Sequence, residues 1–80
     1  MAATKGLIRN WLQRVTEEDS HMLIVCDTFD YEDYPVFVKK NEDVNNKIKH
    51  YSENMQRVVE VYKLSMDLNS QLEVYRAWNI

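Results

Sequence analysis

The sequence predicts an α+β fold: a helix, a β-hairpin, a second helix, a third strand and a C-terminal helix around a small antiparallel sheet. Three observations predict it. Apolar residues recur at helical spacing near both ends: Leu7, Ile8, Trp11, Leu12 and Val15, then Leu68, Leu72, Tyr75 and Trp78. Leu23 to Cys26 is apolar at every position, as in a strand covered on both faces. Eighty residues make one small domain, whose modest core is best built from a sheet with helices against it. The competing arrangement is the hairpin followed by one long helix over 42–66 and a shorter one.

Each element has its own signal. Residues 4–18 read as a helix, since its five apolar residues fall within an arc of about 140°. Thr4 is the expected cap, and Gly6 weakens the first turn. Its bases come early and its acids late, against the helix dipole, so its stability must come from packing. Residues 22–29 read as the first strand. Tyr34 to Lys39 reads as the second, with Pro35 marking the start of an edge strand because it cannot donate to a ladder. Asp30-Tyr31-Glu32-Asp33 supplies the connection. Asn41 is the expected cap of a short helix carrying Val44, Ile48 and Tyr51 on one side. Residues 55–64 fit both periodicities. The strand is preferred because Ser52 and Asn54 are poor interior helix residues. Asp67 caps the last helix. Tyr51, Tyr62, Tyr75 and Trp78 fall on apolar faces and are assigned to the core.

Composition removes whole classes of function. Gly and Pro occur once each, at Gly6 and Pro35, so no glycine-rich phosphate loop or dinucleotide fingerprint exists. The single Cys26 forms no internal disulfide and no multi-thiolate zinc site. A net charge of −3 argues against direct nucleic-acid binding. No apolar run approaches the roughly 20 residues that span a bilayer, and no apolar signal segment opens the chain. A cytoplasmic protein is the expectation. The acidic excess is local: residues 22–43 hold two bases against six acids, while the flanking stretches nearly balance.

That excess centres on Asp27, Phe29, Asp30, Tyr31, Glu32, Asp33 and Tyr34. Asp30, Tyr31, Glu32, Asp33 and Tyr34 are the candidate partner-binding residues. Tyrosine supplies area and a directional hydroxyl, and carboxylates steer a basic partner. The expected function is a non-enzymatic protein–protein interaction module, with a homodimer through exposed sheet edges also expected. The simpler reading is a solvated turn. The competing functional reading is a small metal-dependent or hydrolytic enzyme using Asp27, Asp30 and Asp33. The spacing fits no calcium loop, since neither the turn glycine nor the terminal glutamate is present. No catalytic, cofactor or metal residue is therefore assigned. His21 and His50 lack ligand spacing and read as ordinary surface or boundary histidines. Cys26 reads as core.

Met22 to Val38, Asn54 to Tyr62 and Gln71 to Asn79 resemble a type of small, uncharacterised protein encoded by bacteriophages and prophages. The resemblance covers residues 22–80 and carries no motif tied to a reaction. It implies a phage origin and a host protein as the partner to be modulated. Residues 1–21 lie outside it as an N-terminal helical extension, and Ser20-His21-Met22 is similar to a cloning junction. A native extension and a fused peptide are both open for that segment.

Overall fold

The run Leu23 to Cys26 lies in the middle strand of a three-stranded sheet. A computed structural model describes residues 4–80. The elements are α1 (Lys5–Leu12), β1 (Asp19–Asp27), β2 (Glu32–Lys39), α2 (Val44–His50), β3 (Gln56–Lys63) and α3 (Leu68–Glu73). The sheet order is β2-β1-β3, and β1 is antiparallel to both neighbours. The α+β fold is therefore as the sequence predicts, and residues 56–63 form a strand rather than part of a long helix.

Alternation along β1 divides the core in two. Met22 and Ile24 face α1 and α3, packing with Ile8, Trp11, Leu12, Tyr62, Leu72 and Ala77. Leu23 and Val25 face the other way, against Val38, Val58 and Val61, with Val44, Ile48 and Tyr51 partly buried over them. A doubly apolar strand is what such a two-sided cover requires.

Two irregularities set side-chain directions. Ile24 pairs with Glu60 and Val25 with Val58, so Val59 is the extra residue of a bulge. The extra residue puts Glu60 and Tyr62 on the α1 face. There Glu60 Oε1 accepts from Lys5 Nζ at 2.8 Å and Tyr62 Oη at 2.7 Å, and Glu60 Oε2 lies 3.6 Å from Arg76 Nη1. Burial, then the Glu60 hydrogen bond, pushes the Tyr62 hydroxyl far above its usual range. A second bulge in β1 leaves Ser20 without a register partner in β2, between Asp19, opposite Lys39, and His21, opposite Val38.

Several boundaries differ from expectation. α1 ends at Leu12, not residue 18, because Asp19 Oδ2 accepts from Thr16 N at 2.8 Å and closes a turn there. Thr4 caps α1 as expected, accepting from Leu7 N at 3.2 Å. β1 starts at Asp19, so the expected join between an N-terminal extension and the rest falls inside a strand. The cap of α2 is Asp43, not Asn41, with Asn45 N 2.9 Å from Asp43 Oδ1. Pro35 lies within β2 opposite Ile24 rather than at its start. It is tolerated because an edge strand has one flank without a ladder.

Asp67 caps α3 as expected, but the helix stops at Glu73. Tyr75 and Trp78 are therefore not on its apolar face, and they are 85% and 50% exposed rather than core. The segment after α3 instead runs along the outer side of β3. Val61 N donates to Ala77 O at 2.9 Å, and Asn79 N to Val61 O at 3.1 Å. His21 is buried, not a surface histidine, whereas His50 is exposed.

Candidate functional site

The β1–β2 turn and the α2–β3 loop meet at one end of the sheet. Asp27 in β1 pairs with both Glu32 and Gln56, so residues 28–31 and 51–55 leave the sheet side by side. Thr28 N donates to Met55 O at 2.8 Å and ties the two loops together.

The acids of the turn are first of all turn chemistry. Asp27 Oδ1 accepts from Phe29 N at 2.9 Å, and Asp30 Oδ1 from Glu32 N at 3.2 Å. Both are aspartates bonding backbone two residues on, a local motif that favours tight turns. Tyr31 N donates to Asp27 O at 2.7 Å, and Tyr31 adopts φ 59°. Asn54 and Met55 have φ 57° and 65°. These three are the non-glycine residues with positive φ among the described residues, and all lie at this end. Asparagine tolerates that conformation, while tyrosine and methionine pay roughly 1–2 kcal/mol for it.

Three exposed apolar side chains lie at this end, two of them on strained residues, Tyr31 and Met55. Phe29 is 77% exposed, Tyr31 67% and Met55 59%. Around them stand Asp30 and Glu32, both exposed, and Asp27 and Asp33, both partly so. The end thus carries exposed apolar side chains close in the chain to exposed carboxylates, and interfaces combine apolar area with a polar surround.

The five sequence candidates divide. Asp30, Tyr31 and Glu32 lie on this surface. Tyr34 does not project from it: the ring packs against the cluster of Leu23, Val25 and Val58. Burial, then the nearby Tyr51 and Asp27, raises its hydroxyl pKa. Asp33 stands across the strand from Cys26. Burial, then hydrogen bonding to Asp33, raises the pKa of the Cys26 thiol. Asp27, Asp30 and Asp33 do not converge. No group of three or more His, Cys, Asp or Glu side chains among the described residues could hold a metal ion.

Matched against protein-family models, curated proteins and solved structures, the chain finds no counterpart. The site therefore rests on its own geometry. Phe29 and Met55 were not among the sequence candidates. Phe29 sat within the acidic-aromatic run, but Met55 joins the patch only through the loop contact at Thr28. The one local hint was Asn54, a residue suited to a left-handed turn. No described helix is long and apolar enough to cross a membrane.

Proposed function

We propose that the protein acts by binding another protein through the end formed by the hairpin turn and the α2–β3 loop. The observation that carries this reading is the placement of Tyr31 and Met55. Glycine would relieve the backbone at both positions, yet large side chains occupy them and stay mostly exposed. Strain retained at an exposed site suggests that the side chains serve something other than the fold. Phe29, Tyr31 and Met55 would supply the anchors, and Asp30 and Glu32 a rim that selects a basic partner surface. The resemblance to phage-encoded proteins makes a host protein the expected partner.

A photo-crosslinking residue at position 29 or 31, compared with one at Lys49 on α2, tests the reading. A partner crosslinked from position 29 or 31 but not from 49, with the crosslink from position 29 lost when Tyr31→Gly is added, is the expected result. The same products from both places, or full retention by Tyr31→Gly, would discard it.

A further inference from the structure

The order β2-β1-β3 leaves the sheet with two outer edges. An edge presents backbone N–H and C=O groups at every second residue, a template for a further strand. On β2 the outward groups are those in step with Pro35, because a proline within a strand must turn its nitrogen away from the ladder. Pro35 has no proton to donate there. Lys39, in the same series, turns its N–H outward as well, and Glu42 Oε1 accepts from it at 2.9 Å. Phe37 is left between two positions that offer no donor, so a strand laid along β2 finds a broken ladder.

The outer edge of β3 is closed by other means. Val61 and Lys63 turn their backbone groups outward, and all of these groups are occupied from within the chain. Val61 N donates to Ala77 O at 2.9 Å, and Asn79 N to Val61 O at 3.1 Å. At Lys63 a side chain takes the place of a strand, since an amide carries a donor and an acceptor as a peptide does. Gln71 Oε1 accepts from Lys63 N at 2.8 Å, and Gln71 Nε2 donates to Lys63 O at 2.9 Å. Gln71 is buried, and its Oε1 also accepts from Asn79 Nδ2 at 3.0 Å, which joins it to the strap of residues 77–79. Toward the start of β3 the Val59 bulge breaks the alternation, which itself discourages pairing.

The strap does not simply move the open edge outward. Its Ala77 O and Asn79 N face Val61, so Trp78 between them turns its N–H and C=O away from β3. The chain bends at 74–76, just before the strap, and an edge this short gives another strand little to pair with. The edge beneath the strap is different, because it is complementary to itself. In antiparallel order about Tyr62, Val61 of one copy stands opposite Lys63 of another, and each such pair can exchange both backbone bonds.

We propose that Gln71 and the 77–79 strap form an autoinhibitory cover on β3, which keeps Val61 and Lys63 from pairing with the same edge of a second copy of this chain. The two edges are thus closed differently. On β2 the donors are removed or bonded beside the strand, whereas on β3 an intact ladder is held under a removable cover. The cover is independent of whatever binds at the hairpin end.

Sedimentation equilibrium of the full chain, with amide exchange followed in the same samples, tests this. Asn79→Pro removes the backbone bond to Val61 O and the Asn79 Nδ2 link while leaving the core untouched. Gln71→Ala removes both bonds to Lys63. Each should strengthen dimerisation about tenfold or more over the wild type, and the double variant should exceed both. In the dimers the amides of Val61 and Lys63 should be protected, and those of Phe37 and Lys39 on β2 should exchange as in the monomer. A wild type that dimerises as readily as the variants, dimers that protect Phe37 in place of Lys63, or wild-type dimerisation in both Asn79→Pro and Gln71→Ala would overturn the proposal.

Discussion

The two ends of β1 use polar residues in opposite ways. At the hairpin end, carboxylates bond backbone within the turn, and apolar side chains stand in water. At the other end, Asp19 and His21 are buried, and an ammonium group is brought to Asp19 from β2. The first end is shaped by local backbone geometry and needs few of the remaining elements. The second exists only once α1, β2 and β3 have come together. Single substitutions should therefore act on binding at the first end and on folding at the second.

The sharpest contrast is with the buried network beside α1. Glu60→Ala removes the acceptor shared by Lys5 and Tyr62 and should cost up to about 3 kcal/mol in urea denaturation, because the buried Tyr62 hydroxyl is left unpaired while Lys5 and Arg76, both partly exposed, return to water. Within β1 and its turn, Ile24→Ala should cost roughly 3 kcal/mol. Phe29→Ala, only five residues on, should stay within about 0.5 kcal/mol. An equal loss for the last pair would erase the distinction between the core and the turn.

Acid should affect only the His21 end. Burial, then the charge of Lys63, holds the imidazole pKa below its usual 6.5. The unfolded chain therefore takes up the proton first. Stability from this group is complete above pH 6.5, and it is lost as pH falls through that value toward the lower folded pKa. Asp19 contributes separately. Its burial raises the carboxyl pKa, but Lys39 and the Thr16 N–H outweigh that and hold it below 3.8. Its share is lost only as the pH drops below that value. Urea midpoints measured down to about pH 5 should thus decline with His21 alone. A flat profile would show that the ring is not held neutral.

Smaller effects are expected at the hairpin end. Tyr31→Gly and Met55→Gly should each raise stability by up to about 1 kcal/mol, since relief of the left-handed strain outweighs the entropy of glycine. Both should weaken partner binding. The triple variant Asp30→Asn, Glu32→Gln and Asp33→Asn should alter stability by about 0.5 kcal/mol or less. The side-chain amide oxygen introduced by Asp30→Asn would still accept from the backbone N–H two residues on. The effect of the triple change should fall on association rate and salt dependence.

What could be read from the sequence follows the same division. The order of elements was legible because Leu23 to Cys26 and the repeats at Leu7 to Leu12 and Leu68 to Leu72 carry strong periodic signals. Strand β3 was legible from its β-branched residues despite a competing helical spacing. The helix ends were not, because Asp19 closing the Thr16 turn and Asp43 rather than Asn41 capping α2 are decisions between chemically similar candidates. Tyr75 and Trp78 kept helical spacing beyond the point where the chain turned to follow β3. The candidate site was half legible. Asp30, Tyr31 and Glu32 are contiguous in the chain, but Met55 enters through a contact between loops. The burial of His21 left no trace, since a one-residue bulge at Ser20 has no pattern of its own.

The attachment of α1 bears on how the chain folds. Lys5 reaches Glu60 and Tyr62, 55 and 57 positions away, and Arg9 reaches Asn69, 60 positions away. Such closure must be reached before its contacts return any free energy. The hairpin can form early from neighbouring residues, while α1 must wait for β3 and the start of α3. Folding on the millisecond-to-second scale of non-local topologies follows. Amide exchange should divide accordingly. Protons of the hairpin turn escape through local fraying, and those of Ile8 and Tyr62 leave together, in the opening that unfolds the whole molecule.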